Sequence, residues 1–419
     1  MECRLKYRIL FIMHQLRSKL FNKNKAKSLL VVLDGVGGIP RNNKTELQVA
    51  KTKNLNKLVK LSETGCHIPI KPGLTPGSGS AHLALFGYDP MDFDIGRGVL
   101  EALGLDIKIT KKDIAIRGNF ATIQKNGARK IITDRRAGRI STVENNRIVT
   151  KLSKKIKSVD SVKISFKSGL DHRFVCKLSF PKNINQLQCM IKETDPQIDG
   201  EQPFEPDNLN KESAKVSKIL KKLLILITKI LEDEKQANFV LLRGFSTYPN
   251  IPTFKELYSI KSASLTTYPM YKGISKLVGM ESLNLDSNNL LGQIKALQKN
   301  YDNYDFFYLH IKKTDSYGED GNFNKKVKVI EDFDKYIPSI LKMNFDTITI
   351  TGDHSTPSMM KSHSWHPVPT LIYSKNAFSN LSKSFDEVEC LKGNMQIFEA
   401  KNLLTYIFAH SNCLGKFGA

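Results

Sequence analysis

Apolar or β-branched runs of four to six residues recur along this chain, at 29–33, 239–242, 306–311 and 347–351. They are short enough for strands and lack the polar alternation of a sheet with one wet face, so they predict strands buried on both sides. The run at 368–373 predicts a further strand. Apolar residues repeating on one helical face predict helices at 52–61, where Leu55, Leu58, Val59 and Leu61 supply the face, at 219–231 and at 324–341. Between 104 and 247 the texture changes: shorter β-like runs at 130–133, 162–166 and 173–176 alternate with lysine-rich turns. The pattern predicts an α/β fold in which residues 28–103 and 248–419 form a mostly parallel sheet with helices on both faces, and 104–247 form a smaller inserted α+β domain. Ahead of it, Leu5, Ile9, Ile12, Leu16 and Leu20 repeat at helical spacing among eight basic residues, predicting a basic amphipathic helix within residues 1–27.

Length and composition fit that division. The 419 residues exceed the usual size of a single domain, and 40% hydrophobic residues suffice for real cores. Lys and Arg number 64 against 41 acids, a formal charge of +23 that favours acidic partners. The lysines are dispersed, often beside asparagines, and a single tryptophan and no stacking motif accompany them. This charge suits a small phosphorylated molecule better than a nucleic acid. Six cysteines, at 3, 66, 176, 189, 390 and 413, form no CxxC pair and no regular spacing, which points to a reducing compartment and a cytoplasmic location. No apolar stretch is long enough to span a bilayer. A transit peptide or membrane-surface anchor is the alternative reading of residues 1–27. The pattern does not fix an oligomeric state.

Candidate chemistry gathers at the ends of the strands. The 29–33 run passes directly into Asp34-Gly35-Val36-Gly37-Gly38, the 306–311 run leads to Asp315 and Glu319, and the 347–351 run breaks at Gly352 before Asp353 and His354. His363 follows before the next strand. Carboxylates and imidazoles are ligands for divalent metals, and the C-terminal ends of parallel strands are where α/β proteins place ligands. Ser78, flanked by Gly77 and Gly79 and followed by the apolar run 83–86, predicts an exposed hydroxyl at a helix start, where free N–H groups favour an attached phosphate. Within the insert, Asp134-Arg135-Arg136-Ala137-Gly138-Arg139 and His172-Arg173 form a cationic cluster of the kind that holds phosphate or carboxylate. Two divalent ions beside a serine would suit phosphoryl transfer through a phosphoserine.

Several stretches together resemble one family. They are LDGVGG at 33–38, PGSGSAHLALFGYDP at 76–90, GRGVLEALG at 96–104, RGNFATI at 117–123, DRRAGRI at 134–140, ANFVLLRG at 237–244, KTDSYGEDG at 313–321, and TGDHSTP with KSHSWHPVP at 351–369. In this order they resemble the archaeal-type 2,3-bisphosphoglycerate-independent phosphoglycerate mutases of the alkaline phosphatase superfamily. The resemblance implies an alkaline-phosphatase-like core and an isomerase that interconverts 3-phosphoglycerate and 2-phosphoglycerate without 2,3-bisphosphoglycerate. It implies two metal ions, manganese, magnesium or cobalt, one held by Asp34, Ser78, Asp353 and His354 and the other by Asp315, Glu319 and His363. It further implies substrate contacts from Asp134, Arg135, Arg136, Arg139, His172 and Arg173, with Lys272 contributing from the core. The chain departs from the pattern at Gly79, where an acid is common, at Glu319, where a histidine is common, at Gly38-Ile39, and at His366, a rival to His363. A phosphatase or phosphodiesterase of the same superfamily is the competing enzyme reading, and a basic nucleic-acid-binding protein with a decayed core the competing class.

Overall fold

A computed structural model of the chain describes residues 16–93, 95–127, 129–378 and 381–418. The chain divides into two compact units, residues 1–94 with 251–419, and residues 95–250. Most of the helix expected within residues 1–27 lies outside the described residues; residues 16–20 are helical. That turn is fastened to the first unit by Arg17, which is buried and donates to Thr405 Oγ1 at 2.9 Å and to the carbonyls of Gly87 and Lys401, each at 3.2 Å. No helix among the described residues is long and apolar enough to cross a membrane.

The first unit is built on an eight-stranded sheet. Its order is Glu281–Ser282, Ser262–Leu265, Phe306–Ile311, Ser28–Leu33, Thr347–Thr351, Val368–Ser374, Ser62–Ile68, Gln396–Glu399. Only Val368–Ser374 runs against the rest. The three central strands are buried along their whole length, which is why they read as continuous apolar or β-branched runs. Alternate side chains serve the two faces. Leu29, Val31, Leu33, Phe307 and Leu309 join a core with Leu55 and Leu58 of one helix, Leu297 of another, and Ile330 and Phe333 of a third. On the opposite face, Phe306 meets the Phe254 ring at 5.5 Å and Tyr308 meets Phe86 at 4.9 Å.

Register brings the chemistry-bearing residues to one edge. Leu33 pairs with Ile311 and Val32 with Thr351, so Asp34, Lys312 and Gly352 leave the sheet side by side. Because Val368–Ser374 returns antiparallel, the whole connection from 352 to 367 stays at that edge. The sequence reading has no strand at 62–68, 262–265 or 396–399; these are rich in Ser, Thr, Gly and Glu, and only their pairing puts them in the sheet. The helix expected over 324–341 is two, Phe323–Asp334 and Ile337–Leu341, because the backbone turns before Pro338.

The second unit is an antiparallel six-stranded sheet around the long strand Asp113–Asn126. Ile114, Ile116 and Phe120 point to one face, where the helices Thr142–Lys155 and Ala214–Ile230 bury Ile148, Leu152, Ile219, Leu223 and Ile227 against them. The Phe174 ring lies flat over Gly118, filling the place a Cβ would take, and contacts Phe120 at 4.7 Å. Gly118→Ala is expected to destabilise this unit by about 1–3 kcal/mol through overpacking, and clearly less in a Phe174→Leu background, where the clashing ring atoms are gone. Urea unfolding of the two single variants and the double variant measures this coupling; additive costs would show that ring and backbone are not in competition.

Candidate active site

Asp34 follows its strand into a turn at Gly35, whose φ of +60° suits glycine and whose missing Cβ leaves room for Thr356 and the Asp315 carboxylate. Asp34 is fully buried. Its Oδ2 lies 3.0 Å from His310 Nε2 and 3.1 Å from Lys312 Nζ, while its Oδ1 has no hydrogen-bond donor. Burial alone would oppose its ionisation, but Lys312, His310 and His354 outweigh that and hold the carboxyl well below the usual carboxylate range. Asp353 is equally buried; its Oδ1 accepts from the Gly35 N–H at 3.0 Å, and its Oδ2 lies 3.1 Å from His82 Nδ1 and 3.2 Å from His354 Nε2.

His354 is the hub of the cluster. Its Nδ1 is 3.0 Å from Thr356 Oγ1, and its Nε2 faces Asp353 Oδ2, Asp34 Oδ1 at 3.5 Å and Ser78 Oγ at 3.2 Å. Burial lowers its pKa, which keeps the imidazole in its neutral, ligating form. Ser78 opens the helix Ser78–Leu85, so its hydroxyl stands beside the free N–H groups of the first turn. His363 stacks on His354 at 3.7 Å, fixes its Nδ1 on the Pro76 carbonyl at 2.9 Å, and turns its Nε2 toward Asp315 Oδ1 at 3.5 Å. Two groups that could hold a metal ion result, Asp34 with Asp353 and His354, and Asp315 with His354 and His363, each offering atoms within 4.8 Å of one another. Glu319 stands at the rim, mostly exposed, with Oε1 3.9 Å from His363 Nε2. His366 instead turns its Nδ1 to Ser364 Oγ at 3.0 Å and stacks on Trp365.

The arginine stretch of the second unit is a tight loop. Ala137, Gly138 and Arg139 all have positive φ, and the Asp134 carboxylate holds the turn by accepting from the N–H groups of Arg136 at 2.7 Å and Gly138 at 2.6 Å. Arg135 points elsewhere and grips buried Asp195 with two bonds, at 2.7 and 2.8 Å. Among the described residues neither Arg136 nor Arg139 pairs with a carboxylate. Buried His172 has its pKa pushed down to about 3, first by burial and then by the positive charges of Arg173, Arg117, Arg136 and Arg139, which favours the neutral imidazole. Lys272 lies in the first unit, on the helix Pro269–Leu277 whose Tyr271 stacks on His310 at 3.8 Å.

Comparison with known proteins settles the kinship. A family model described as 2,3-bisphosphoglycerate-independent phosphoglycerate mutase matches residues 60–237. A relative from Aquifex aeolicus, named a probable 2,3-bisphosphoglycerate-independent phosphoglycerate mutase, is 49% identical over 403 residues, covering 96% of this chain and 99% of its own. The chain belongs to the 2,3-bisphosphoglycerate-independent phosphoglycerate mutase family. Among solved structures, a Pyrococcus horikoshii protein superposes with a TM-score of 0.80 at 30% identity, covering 95% of this chain and all of the other. The cofactor-independent phosphoglycerate mutase of Thermoplasma acidophilum gives 0.67 at 27% identity, with coverages of 92% and 100%.

His310, Lys312 and Arg117, like His82 and Thr356, join the clusters of this mutase-family chain without having been singled out in the sequence. His310 and Lys312 flank Asp34; His310 hides inside an apolar strand run, and Lys312 is one of many lysines. Arg117 sits on a strand whose alternate residues Ile114, Ile116 and Phe120 face the core, so its polar phase in that alternation was the available signal. Arg135→Ala is expected to cost about 1–3 kcal/mol of stability, because it strips a bidentate partner from a buried carboxylate. Its KM for phosphoglycerate should stay within about twofold of the parent, because its Nε and Nη2 groups are already engaged by Asp195. Thermal unfolding and steady-state kinetics on the same preparation check both; a large rise in KM with unchanged stability would return Arg135 to the binding set.

Proposed function

We propose that the chain interconverts 3-phosphoglycerate and 2-phosphoglycerate through a phosphate carried on Ser78. As a member of the phosphoglycerate mutase family it is an isomerase. The observation that supports the serine route is the convergence on Ser78 Oγ of His354 Nε2, at 3.2 Å, with Asp34 and Asp353 behind it in a fully buried cluster.

The cluster's donor set fits divalent metal: the buried oxygens Asp34 Oδ1 and Asp353 Oδ2 lack hydrogen-bond donors and face a neutral imidazole. Asp34, Asp353, His354 and Ser78 would hold one ion, and Asp315, His363 and Glu319 the other, manganese, magnesium or cobalt being the metals these ligands suit. When bound, such ions activate a nucleophilic oxygen and neutralise charge building on the phosphoryl group. The rest is done by the chain. Gly77, the cap of the Ser78 helix, leaves the first-turn N–H groups open to a phosphate's oxygens, and the helix dipole favours that negative charge. Lys312, 3.1 Å from Asp34 and hydrogen-bonded to Asp315, offsets their charge from the side. His363, anchored on the Pro76 carbonyl, ties the loop before Ser78 to the imidazole pair. In the second unit, Arg136, Arg139, Arg173 and Arg117 around His172 form the cationic set that holds the substrate's carboxylate and phosphate. 2,3-Bisphosphoglycerate is not required, in keeping with the family.

Ser78→Ala should fold and lose essentially all turnover, since no neighbouring group can carry the covalent step. A variant retaining more than about a tenth of the parent kcat in a coupled mutase assay would contradict the assignment. Chelation should abolish activity, and manganese, magnesium or cobalt should restore it without added 2,3-bisphosphoglycerate; full activity in excess chelator after prolonged incubation would contradict the metal assignment. Arg136→Ala should lose about 2–4 kcal/mol of transition-state stabilisation, the range for truncating one member of a hydrogen-bonded charge pair such as it would form with the substrate. It should also release more inorganic phosphate per turnover, because a poorly held glycerate can depart before taking the phosphate back. Wild-type mutase flux and phosphate release together would remove the arginine loop from the substrate site.

A further inference from the structure

Beneath the loops that carry Asp34 and His354 lies a lysine that no step above uses. Lys326, on the helix Phe323–Asp334, is completely buried. Its ammonium donates to three backbone carbonyls, those of Gly35 at 2.9 Å, Gly37 at 3.0 Å and Thr356 at 2.8 Å. An ammonium has three N–H donors, so all are used, and none goes to a side chain. The carbonyls come from two loops that are distant in sequence: one begins at Asp34, the other carries Asp353 and His354, and Thr356 itself touches both His354 and Asp315.

Two carboxyl groups, Glu46 buried and Glu387 half-buried, complete the arrangement. Glu46 Oε1 stands 3.9 Å from the ammonium and accepts from the Ser358 N–H at 3.0 Å. Glu387 accepts from the Gly38 N–H at 2.7 Å and from Thr45 Oγ1 at 2.7 Å. Each carboxylate therefore grips the N–H of one loop while the lysine grips carbonyls of both. The glycines of the 34–38 loop make this possible, since a Cβ on Gly37 would strike Ser355 and one on Gly38 would strike Glu46. A fully buried charge is costly, and its cost is met here only by saturating every donor and supplying opposite charge nearby. Arranging that around backbone groups fixes loop positions and contributes nothing directly to binding or chemistry.

We propose that Lys326 is a positioning residue which, with Glu46 and Glu387, locks the Asp34 loop and the Asp353–Thr356 loop into their ligating geometry before any metal arrives. The inference rests on the metal reading given above. It makes the metal-free chain a preformed receptor, so that the ordering cost is met in folding and binding affinity is correspondingly higher. Groups that orient ligands from behind commonly set affinity by about 10- to 100-fold.

The test is manganese titration of chelator-stripped full-length protein by calorimetry, comparing the parent with Lys326→Met, which keeps the stem and removes the ammonium. The parent should bind manganese, and Lys326→Met should bind about 10- to 100-fold more weakly, with kcat at saturating metal recovering far more than affinity does. A parent that binds no manganese would overturn the metal reading itself; a parent that binds and a variant that binds equally well, even if less heat-stable, would overturn the positioning role alone. Because Lys326→Met can fail to fold, amide hydrogen exchange on the unaltered metal-free protein is the second measurement. The N–H groups of Gly38, Thr356 and Ser358 should be protected to about the level of the central strands, as expected of a locked unit. Exchange at open-loop rates without metal, with protection appearing only after manganese is added, would show that metal orders the loops and would overturn the inference.

Discussion

Crowding of buried carboxylates governs this site. Asp34, Asp315 and Asp353 are at most 1% exposed and share one strand edge, where like charges in a medium of low polarity repel strongly. The fold accommodates them by surrounding each with a cation or dipole: Lys312 between Asp34 and Asp315, His310 against Asp34, His82 against Asp353, and the Gly35 N–H on Asp353. Burial disfavours the charge on Lys312, yet Asp34 and Asp315 outweigh it and raise its pKa, so the ammonium persists. The remaining unsatisfied oxygens point into the cluster, where a divalent ion would supply what the side chains do not.

The sheet makes that crowding possible. Parallel neighbours ending in step deliver Asp34, Lys312 and Gly352 to one edge, and the single antiparallel strand keeps the loop bearing His354 and His363 there. The second unit concentrates the opposite sign. Its helix-covered face is apolar, while Arg117 lies on the other phase of the central strand and joins Arg136, Arg139 and Arg173 about His172. Ligand-type acids and this group of arginines are thus separated by unit, as expected if one unit binds metal and the other the substrate's anionic groups.

Much of this was legible before the coordinates. A strand buried on both faces is rich in apolar and β-branched residues, so 29–33, 306–311 and 347–351 stand out, and a ligand-type residue following each one marks the edge. What escaped reading depends on contacts distant in sequence. The strands 62–68, SETGCHI, and 262–265, SASL, lack a run of large apolar residues, and only their pairing with neighbours puts them in the sheet. Arg135 and Arg136 are indistinguishable neighbours until Asp195, sixty residues on, claims one of them. Lys326 is one of three lysines, with Lys325 and Lys328, near the start of its helix; its phase with Ile330 and Phe333 was the only local sign, and the meeting of the 34–38 and 352–358 loops at its ammonium makes it internal.

On the proposed route the phosphate passes through Ser78. Rapid quench of the metal-loaded enzyme with phosphate-labelled 3-phosphoglycerate, followed by peptide mapping by mass spectrometry, measures it directly. A label that appears on the peptide containing Ser78 within the first turnover, at Ser78 itself, and disappears as 2-phosphoglycerate forms is the predicted result. Label that never reaches the protein, or that settles on Ser80 or a histidine while mutase flux continues, would contradict it.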